Sequence, residues 1–155
     1  NTVIVNNTNS SDIWSSFRVS KRAFPFDLNF LNNNDECIIS CSHDGYRRLK
    51  NSITHKRSWK FLQDAVVITD NLDGKFASAE AIYHIHPDIS SIKHSHNSFV
   101  LNLPGDYNIN INILSGEATL IDTYWHPEFG KSIPIKAISI KFTSSMVALS
   151  VNGYI

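Results

Sequence analysis

The sequence of 155 residues lacks the features that define several protein classes. Only two cysteines are present, too few for a small domain held together by several disulfides. No apolar run approaches the roughly 20 residues that a membrane-spanning helix needs. Charge of one sign is not in excess, since 14 Lys and Arg balance 14 Asp and Glu. The composition therefore disfavours a membrane, or nucleic acid attracted by net charge, as a partner.

The two cysteines, Cys37 and Cys41, lie in a run that predicts a single β-strand. Four strand steps separate their Cα atoms by about 13 Å, beyond the ~7 Å limit for a disulfide. Metal binding by this pair would need two further ligands from elsewhere in the chain. We therefore expect two free thiols.

What the sequence does contain is apolar alternation, which predicts β-strands. Apolar residues make up 42% of the chain, enough for one folded domain over residues 1–155. Isoleucine alternates with asparagine over 108–113, as in a strand with one buried face. Alternation continues over 133–140, where Ala137 predicts a phase slip or bulge. Further predicted strands are Thr2–Val5, Trp14–Val19, Glu36–His43, Ile53–Leu62, Ala65–Thr69, Ser78–His86, Ser98–Leu103, Glu117–Ile121 and Met146–Val151.

Turn-forming residues separate the predicted strands at intervals of about ten residues. The clearest turn signals are Asn32–Asp35, Asn71–Gly74, Pro104–Asp106 and Ser115–Gly116. Only Tyr46–Asn51 has helical character, and it is short. The pattern predicts one all-β domain with an antiparallel sandwich or barrel.

Two histidine pairs have the spacing of metal ligands on a strand. His84 and His86 would share one strand face, as would His94 and His96. A hairpin that faced the two pairs would offer four nitrogens to zinc or copper. The alternative is that they are polar surface residues, since Pro87 would bend the chain directly after the first pair.

A basic segment offers a candidate site for sugar carboxylates. Residues 47–60 carry six Lys and Arg and no acidic residue. On the predicted strand, His55, Arg57 and Trp59 share one face, while Lys56 and Lys60 lie on the other. A guanidinium beside a flat aromatic ring can bind a uronate by paired hydrogen bonds and stacking. The alternative is that Arg57 pairs with a carboxylate of a neighbouring strand.

A second aromatic and basic pair precedes it in the sequence. Trp14 and Arg18 are followed closely by Lys21 and Arg22. Trp14 could stack on a sugar ring, or it could pack at a sheet edge. No sequence motif of a nucleophilic enzyme, a phosphate-binding loop or a zinc protease is present.

Taken together, the motifs resemble the C-terminal β-domain of the heparinase II/III-like polysaccharide lyases. That family has an "HNT-V-V … W-x-x-F-R-V" segment, then "H-D-G-Y", "H-R-R", "I-x-D-x-L-x-G", "F-H-L-H-P" and "Y-x-P-x-F-G". The corresponding segments of this chain, in the same order, are Asn1–Val5, Trp14–Val19, His43–Tyr46, His55–Trp59, Ile68–Gly74, Tyr83–Pro87 and Tyr124–Gly130.

The resemblance implies a β-sandwich of two stacked sheets, with roughly a dozen short strands, that follows an α/α-toroid. Such lyases cleave uronate-containing acidic polysaccharides by β-elimination, using Tyr and His as acid and base. The family also holds a zinc-like metal with His and Asp. One of those ligands, the His of the "HNT" segment, would directly precede Asn1. We therefore expect a C-terminal fragment that is inactive alone, with no catalytic residue and no metal ligand of its own.

The resemblance also implies the partners and the location. We expect an acidic polysaccharide and the toroid of the same protein as partners, in the periplasm or outside the cell. Trp14, Arg18, Arg57 and Trp59 are the candidate substrate-binding residues. Two alternatives remain: a histidine-rich metal-binding or cupin-like module, and a non-catalytic carbohydrate-binding domain.

Overall fold

The described part of the chain contains fourteen β-strands. A computed structural model describes residues 1–15, 18–33, 36–105 and 107–154, without the side chains of residues 92–94 and 154. No helix in these ranges is long and apolar enough to cross a membrane. The strands are β1 (Thr2–Val5), β2 (Asp12–Ser15), β3 (Arg18–Lys21), β4 (Pro25–Asn32), β5 (Cys37–His43), β6 (Thr54–Phe61), β7 (Ala65–Asp73), β8 (Ala79–His84), β9 (Ser90–Ser95), β10 (Ser98–Leu103), β11 (Tyr107–Ile113), β12 (Glu117–Trp125), β13 (Ile133–Phe142) and β14 (Met146–Tyr154).

Two antiparallel sheets and one hairpin account for these strands. The small sheet has the order β1-β8-β13-β12, and the large sheet has the order β4-β5-β6-β7-β14-β11-β10-β9. Strands β2 and β3 form the separate hairpin. The predicted all-β antiparallel sandwich is confirmed.

The core lies between the two sheets, and each sheet contributes alternate residues to it. The predicted alternation over 108–113 is confirmed, because Ile111 and Ile113 are buried on β11. Central strand β13 contributes Ile138 and Ile140, which are fully buried. Other members of the core are Val3, Val5, Leu72, Ala79, Ala81, Phe99, Phe142, Val147 and Leu149.

The predicted bulge at Ala137 is wrong. Strand β13 pairs with β8 and with β12 in a continuous register. Ile135 and Ala137 lie on its outward face, yet both are buried. The apparent phase slip in the sequence arises because this central strand buries apolar residues on both faces.

Other differences concern exposed edges. The segment Trp14–Val19 was predicted as one strand. It contains the end of β2 and the start of β3, and residues 16 and 17 between them lie outside the described ranges. Strands β4 and β9 were not predicted, since both are edge strands of the large sheet. The turn predicted at Asn71–Gly74 begins only after β7 ends at Asp73. The turns predicted at 32–35 and 104–106 include residues outside the described ranges.

Candidate functional site

A buried carboxylate, Asp70 of β7, lies at the centre of a polar network between the two sheets. The β6–β7 register places Arg57 directly opposite Asp70. The Arg57 Nε donates to Asp70 Oδ1 at 2.7 Å, and its Nη2 donates to Oδ2 at 2.9 Å. From the facing small sheet, the Tyr83 hydroxyl donates to Oδ2 at 2.8 Å. His55 Nε2 lies 2.6 Å from Oδ1, so four donors surround this fully buried carboxylate.

These contacts keep Asp70 ionised. Burial by itself would raise the pKa of Asp70, but the hydrogen bonds from His55 and Arg57 outweigh it and lower the pKa to about 2. Burial raises the pKa of Tyr83, and the neighbouring Asp70 charge adds to this effect. Tyr83 therefore stays a neutral donor. The result is a buried ion pair whose hydrogen-bonding groups are satisfied.

Two histidines extend this network toward the turn after β5. The Gly45 N–H donates to His43 Nδ1 at 3.2 Å, so this nitrogen accepts. His43 Nε2 must then carry the proton and donate to His55 Nδ1 at 2.7 Å. His55 in turn donates from Nε2 to Asp70. The hydrogen bonds thus place a proton on His43 Nε2 and on His55 Nε2, and they run in one direction toward Asp70.

The pKa of His43 agrees with this arrangement. Burial, which disfavours the charged imidazolium, lowers the pKa of His43 to about 4. Protonation at His43 Nδ1 would also place an N–H against the Gly45 N–H. His43 is therefore uncharged at neutral pH, and the two histidines together orient Asp70 through hydrogen bonds.

The same network fixes the start of the small sheet. The Arg57 Nη1 donates to the Asn1 carbonyl at 3.0 Å, and the guanidinium carbon lies 5.2 Å from the Tyr83 ring centroid. Tyr46 donates its hydroxyl proton to the Val3 carbonyl. The Asn1 side chain accepts the His84 backbone N–H at 2.6 Å. Asn1 is thus held by groups from both sheets.

An open cleft of about 410 Å³ lies beside Asn1. Its aromatic and imidazole side chains are His84, His86, Tyr124, Trp125 and His126. The ring centroids of His86 and Trp125 lie 5.2 Å apart. Tyr124 is 60% exposed, so its ring is available to stack on a sugar or another flat group.

The structure does not bring the two histidine pairs together on a hairpin. Strand β8, which ends at His84, pairs with β1 and β13, whereas β9 pairs with β10 in the other sheet. The predicted facing hairpin is therefore wrong. No group of three or more His, Cys, Asp or Glu side chains suited to a metal ion occurs among the described residues, which exclude the side chain of His94.

The four candidate substrate-binding residues lie in two separate places. Trp14 and Arg18 lie on the β2–β3 hairpin, where Trp14 is 62% exposed and the Arg18 guanidinium lies 5.1 Å from its ring centroid. Arg57 and Trp59 share the inward face of β6, as expected. Trp59 is half-buried, opposite Ile39 and Ile68.

Arg57 is largely occupied by the protein. Its pairing with Asp70 of the neighbouring strand is the alternative that the sequence left open. The ring beside its guanidinium is that of Tyr83 on the facing sheet, whereas the sequence pattern predicted Trp59 in this role. Asp70 also escaped notice as a site residue. The available signal was the position of Asp70, a charged residue that closely follows the apolar run Ala65–Ile68.

Both cysteines are free, as expected. Cys41 lies opposite Arg57 on β5, and its thiol contacts the Phe26 carbonyl at 3.5 Å.

A family model matches this chain, and solved structures share its fold. The family model described as heparinase II/III-like, C-terminal, matches residues 1–152. The crystal structure of heparan sulfate lyase HepC from Pedobacter heparinus gives a TM-score of 0.74 at 14% identity, covering 99% of this chain and 24% of that one. A heparinase III gene product gives a TM-score of 0.67 at 14% identity, covering 99% of this chain and 23% of that one. Comparison with curated proteins finds no match.

Proposed function

Because the chain belongs to the heparinase II/III-like C-terminal family, we propose that it is the β-sandwich of a polysaccharide lyase that acts on uronate-containing polysaccharides. The observation that carries this proposal is the family match over residues 1–152. Structures of heparan sulfate lyase and heparinase III share the fold over nearly the whole chain. The chain spans only about a quarter of their length, so activity is proposed for a longer protein.

The proposed reaction is β-elimination. A base removes the proton from the carbon beside the uronate carboxylate, and the electron pair forms a carbon–carbon double bond as the glycosidic oxygen leaves with a proton from an acid. Groups that hydrogen-bond the carboxylate stabilise the charge that develops on it. We assign these catalytic roles to an α/α-toroid domain of the longer protein and none of them to this chain, which we expect to be inactive alone.

The chain's own contribution is to form and position one wall of the polysaccharide cleft. The Asp70 network supports this role, because Arg57 connects Asn1 to the large sheet and Tyr83 connects β8 to Asp70 of the same sheet. Rigid support of this kind keeps binding groups in place without touching the substrate. Arg57 is therefore proposed mainly as a positioning residue, with one N–H of Nη1 left for a substrate carboxylate.

Direct sugar contacts are proposed for Trp14, Arg18 and Trp59. The exposed Trp14 ring with Arg18 beside it offers both a stacking face and a charged donor. Half-buried Trp59 offers a smaller surface on the inward face of β6. Trp14 and Arg18 would bind an acidic sugar unit at the β2–β3 hairpin, and Trp59 would make a separate contact on β6.

Among the residues that the structure describes, no group of three or more His, Cys, Asp or Glu side chains is arranged to hold the zinc-like metal that the family resemblance implies. Asp70, the best-placed carboxylate, already has four donors on its two oxygens. We propose that a metal of the longer protein is bound by residues outside this chain. We place that protein in the periplasm or outside the cell, where large polysaccharides occur.

A second function, non-catalytic carbohydrate binding, is favoured by one observation. Tyr124 and Trp125 remain exposed beside an open cleft, as in a binding surface that works without a catalytic partner. The same experiment separates the two functions. The longer protein containing this chain is incubated with uronate polysaccharides, and new unsaturated uronate ends are measured. We expect such ends. Binding without them would favour the second function.

A further inference from the structure

A cleft beside the β2–β3 hairpin is lined by more cationic than acidic side chains. It lies between β3 and the turn that follows β5 and has a volume of about 550 Å³, within the range of roughly 300–1,000 Å³ typical of ligand sites. Its charged residues are Lys21, Arg22, Asp44, Arg47 and Arg48. Because the whole chain has no net charge, this excess of cations is a local feature.

The adjacent residues Arg47 and Arg48 of the cleft have different roles. Arg48 donates to the carbonyls of Asn9, Ser10 and Gly45. These bonds attach the turn to the segment before β2. A Cβ on Gly45 would also collide with the Ser10 carbonyl, so the turn packs closely against this segment. Arg48 is therefore structural, and it makes the cleft wall rigid.

The Arg47 side chain is held in place by its neighbours, but not all of its N–H donors have a partner among the described residues. Its Nε donates to Thr54 Oγ1 at 3.2 Å, and its guanidinium carbon lies 4.4 Å from the Phe26 ring centroid. No partner for its two terminal nitrogens occurs among the described residues. A stacked guanidinium with free terminal nitrogens is prepared to bind a carboxylate or sulfate with little loss of side-chain entropy.

Lys21 and Arg22 add exposed charge on the opposite side of the cleft. Neither forms an ion pair within the described ranges. Asp44 is the one carboxylate among the described charged residues of the cleft, and it accepts the Phe24 N–H at 2.7 Å, so a single negative charge faces four cations. Elsewhere on the surface, Lys60, Lys131 and Lys136 each contact a carboxylate.

We propose that this cleft binds the carboxylate or sulfate of an acidic sugar unit, with Arg47 as the bidentate donor and Lys21 and Arg22 as charge partners. The site is additional to the sugar contacts proposed for Trp14 and Arg18. The identity of the ligand as an acidic sugar chain rests on the proposed function, whereas the anion-binding chemistry rests on the cleft itself.

The test is calorimetric titration of the chain at low salt with two uronate oligosaccharides of equal length, one sulfated and one unsulfated. Arg47→Gln, the double variant Lys21→Gln/Arg22→Gln and the triple variant are compared with wild type. Lys141→Gln is the matched control, since it removes an exposed cation from the small sheet. Arg47→Lys keeps the charge but loses the bidentate geometry, and thermal unfolding checks that each variant is folded.

We expect the triple variant to bind at least about tenfold more weakly and Arg47→Gln alone about fivefold more weakly. Arg47→Lys should fall between wild type and Arg47→Gln, and Lys141→Gln should stay within about twofold of wild type. Binding of the sulfated probe alone assigns the cleft to sulfate, and binding of both assigns it to carboxylate.

The inference is overturned if wild type binds neither probe, if the triple variant binds like wild type, or if Lys141→Gln loses as much affinity. Its failure is distinct from failure of the proposed function. If the longer protein produces unsaturated ends and the cleft variants still bind normally, only the anion site proposed for the cleft is contradicted. If the triple variant loses binding but the longer protein has no lyase activity, only the proposed function is contradicted.

Discussion

The charged residues around Asp70 and those around Arg47 differ in how far the protein itself satisfies them. Asp70 is fully buried, and its four donors come from strands of both sheets. Arg47 lies at an open cleft and uses only one of its guanidinium nitrogens within the described residues. The first arrangement mainly stabilises and positions, because its carboxylate is fully buried and already has all of its donors from the protein. The second leaves hydrogen-bonding capacity for a ligand.

The two regions also use aromatic rings differently. Beside Asp70, the Tyr83 ring stacks on a guanidinium that is already paired. On the β2–β3 hairpin, the Trp14 ring stacks on Arg18 and stays exposed. Substitutions in the first region should therefore change stability, and substitutions in the second should change binding. The following predictions test this division, from the largest expected effect to the smallest.

Asp70→Asn should cause the largest loss of stability. The neutral amide leaves Arg57 as a buried charge without its carboxylate, which costs about 3–5 kcal/mol in comparable buried pairs. Urea unfolding monitored by tryptophan fluorescence measures the free energy of unfolding. Asp73→Asn, an exposed change at the end of the same strand, serves as the control. A loss below about 1 kcal/mol for Asp70→Asn would contradict the assigned role.

Acid should destabilise the chain in two stages. The pKa of His43 is lowered to about 4, so the unfolded state binds more protons than the folded state between pH 6.5 and that value, and stability falls as pH decreases. The pKa of Asp70 is lowered to about 2 from 3.8, so stability is lost further as pH falls through this second window, by about 2 kcal/mol.

Unfolding free energies measured from pH 7 to pH 2 check this profile. His43→Gln should flatten the upper stage and leave the lower one. Constant stability between pH 6.5 and pH 4 in the wild-type chain would contradict the assignment of His43 as a neutral imidazole.

Tyr83→Phe should have an intermediate effect. It removes one donor to Asp70 but keeps the ring under Arg57, so a loss of about 1–2 kcal/mol is expected. Tyr124→Phe, on an exposed side chain, is the matched control and should change stability by less than about 0.5 kcal/mol. Equal effects of the two substitutions would show that Tyr83 adds nothing through its hydroxyl.

Trp14→Ala should have the smallest effect on stability and a clear effect on binding. The ring is exposed on a hairpin outside both main sheets, so the free energy of unfolding should change by less than about 0.5 kcal/mol. Affinity for a uronate oligosaccharide should fall by about threefold to tenfold, as for loss of a stacking contact. Unfolding and titration of the same preparation measure both. A large loss of stability with unchanged affinity would reverse the proposed division.

Much of the fold followed from the sequence because alternation is a direct consequence of a sheet with one buried face. The strand at Thr2–Val5 was predicted with its observed bounds. Edge strand β4 escaped prediction because most of its side chains are exposed, and Asp27 within it has a positive φ of 52°. The alternation around Ala137 was misleading because β13 is buried on both faces.

The site was less predictable than the fold. Spacing placed Arg57 and Trp59 on one face of β6, as observed. Spacing could not show that Arg57 faces Asp70, since that contact depends on the register between two strands. The contact with Tyr83 depends on how the two sheets stack, which involves residues distant in sequence. The histidine pairs show the same limit, because β8 and β9 follow one another in the chain but belong to different sheets.

The central claim is that this domain positions and binds an acidic polysaccharide while the chemistry belongs to another part of the protein. The most direct test incubates the isolated 155-residue chain with a uronate polysaccharide and measures the bound fraction and the unsaturated ends in the same sample. We expect saturable binding and an intact polymer. Unsaturated ends produced by the isolated chain, and absent in a heat-denatured control, would contradict it.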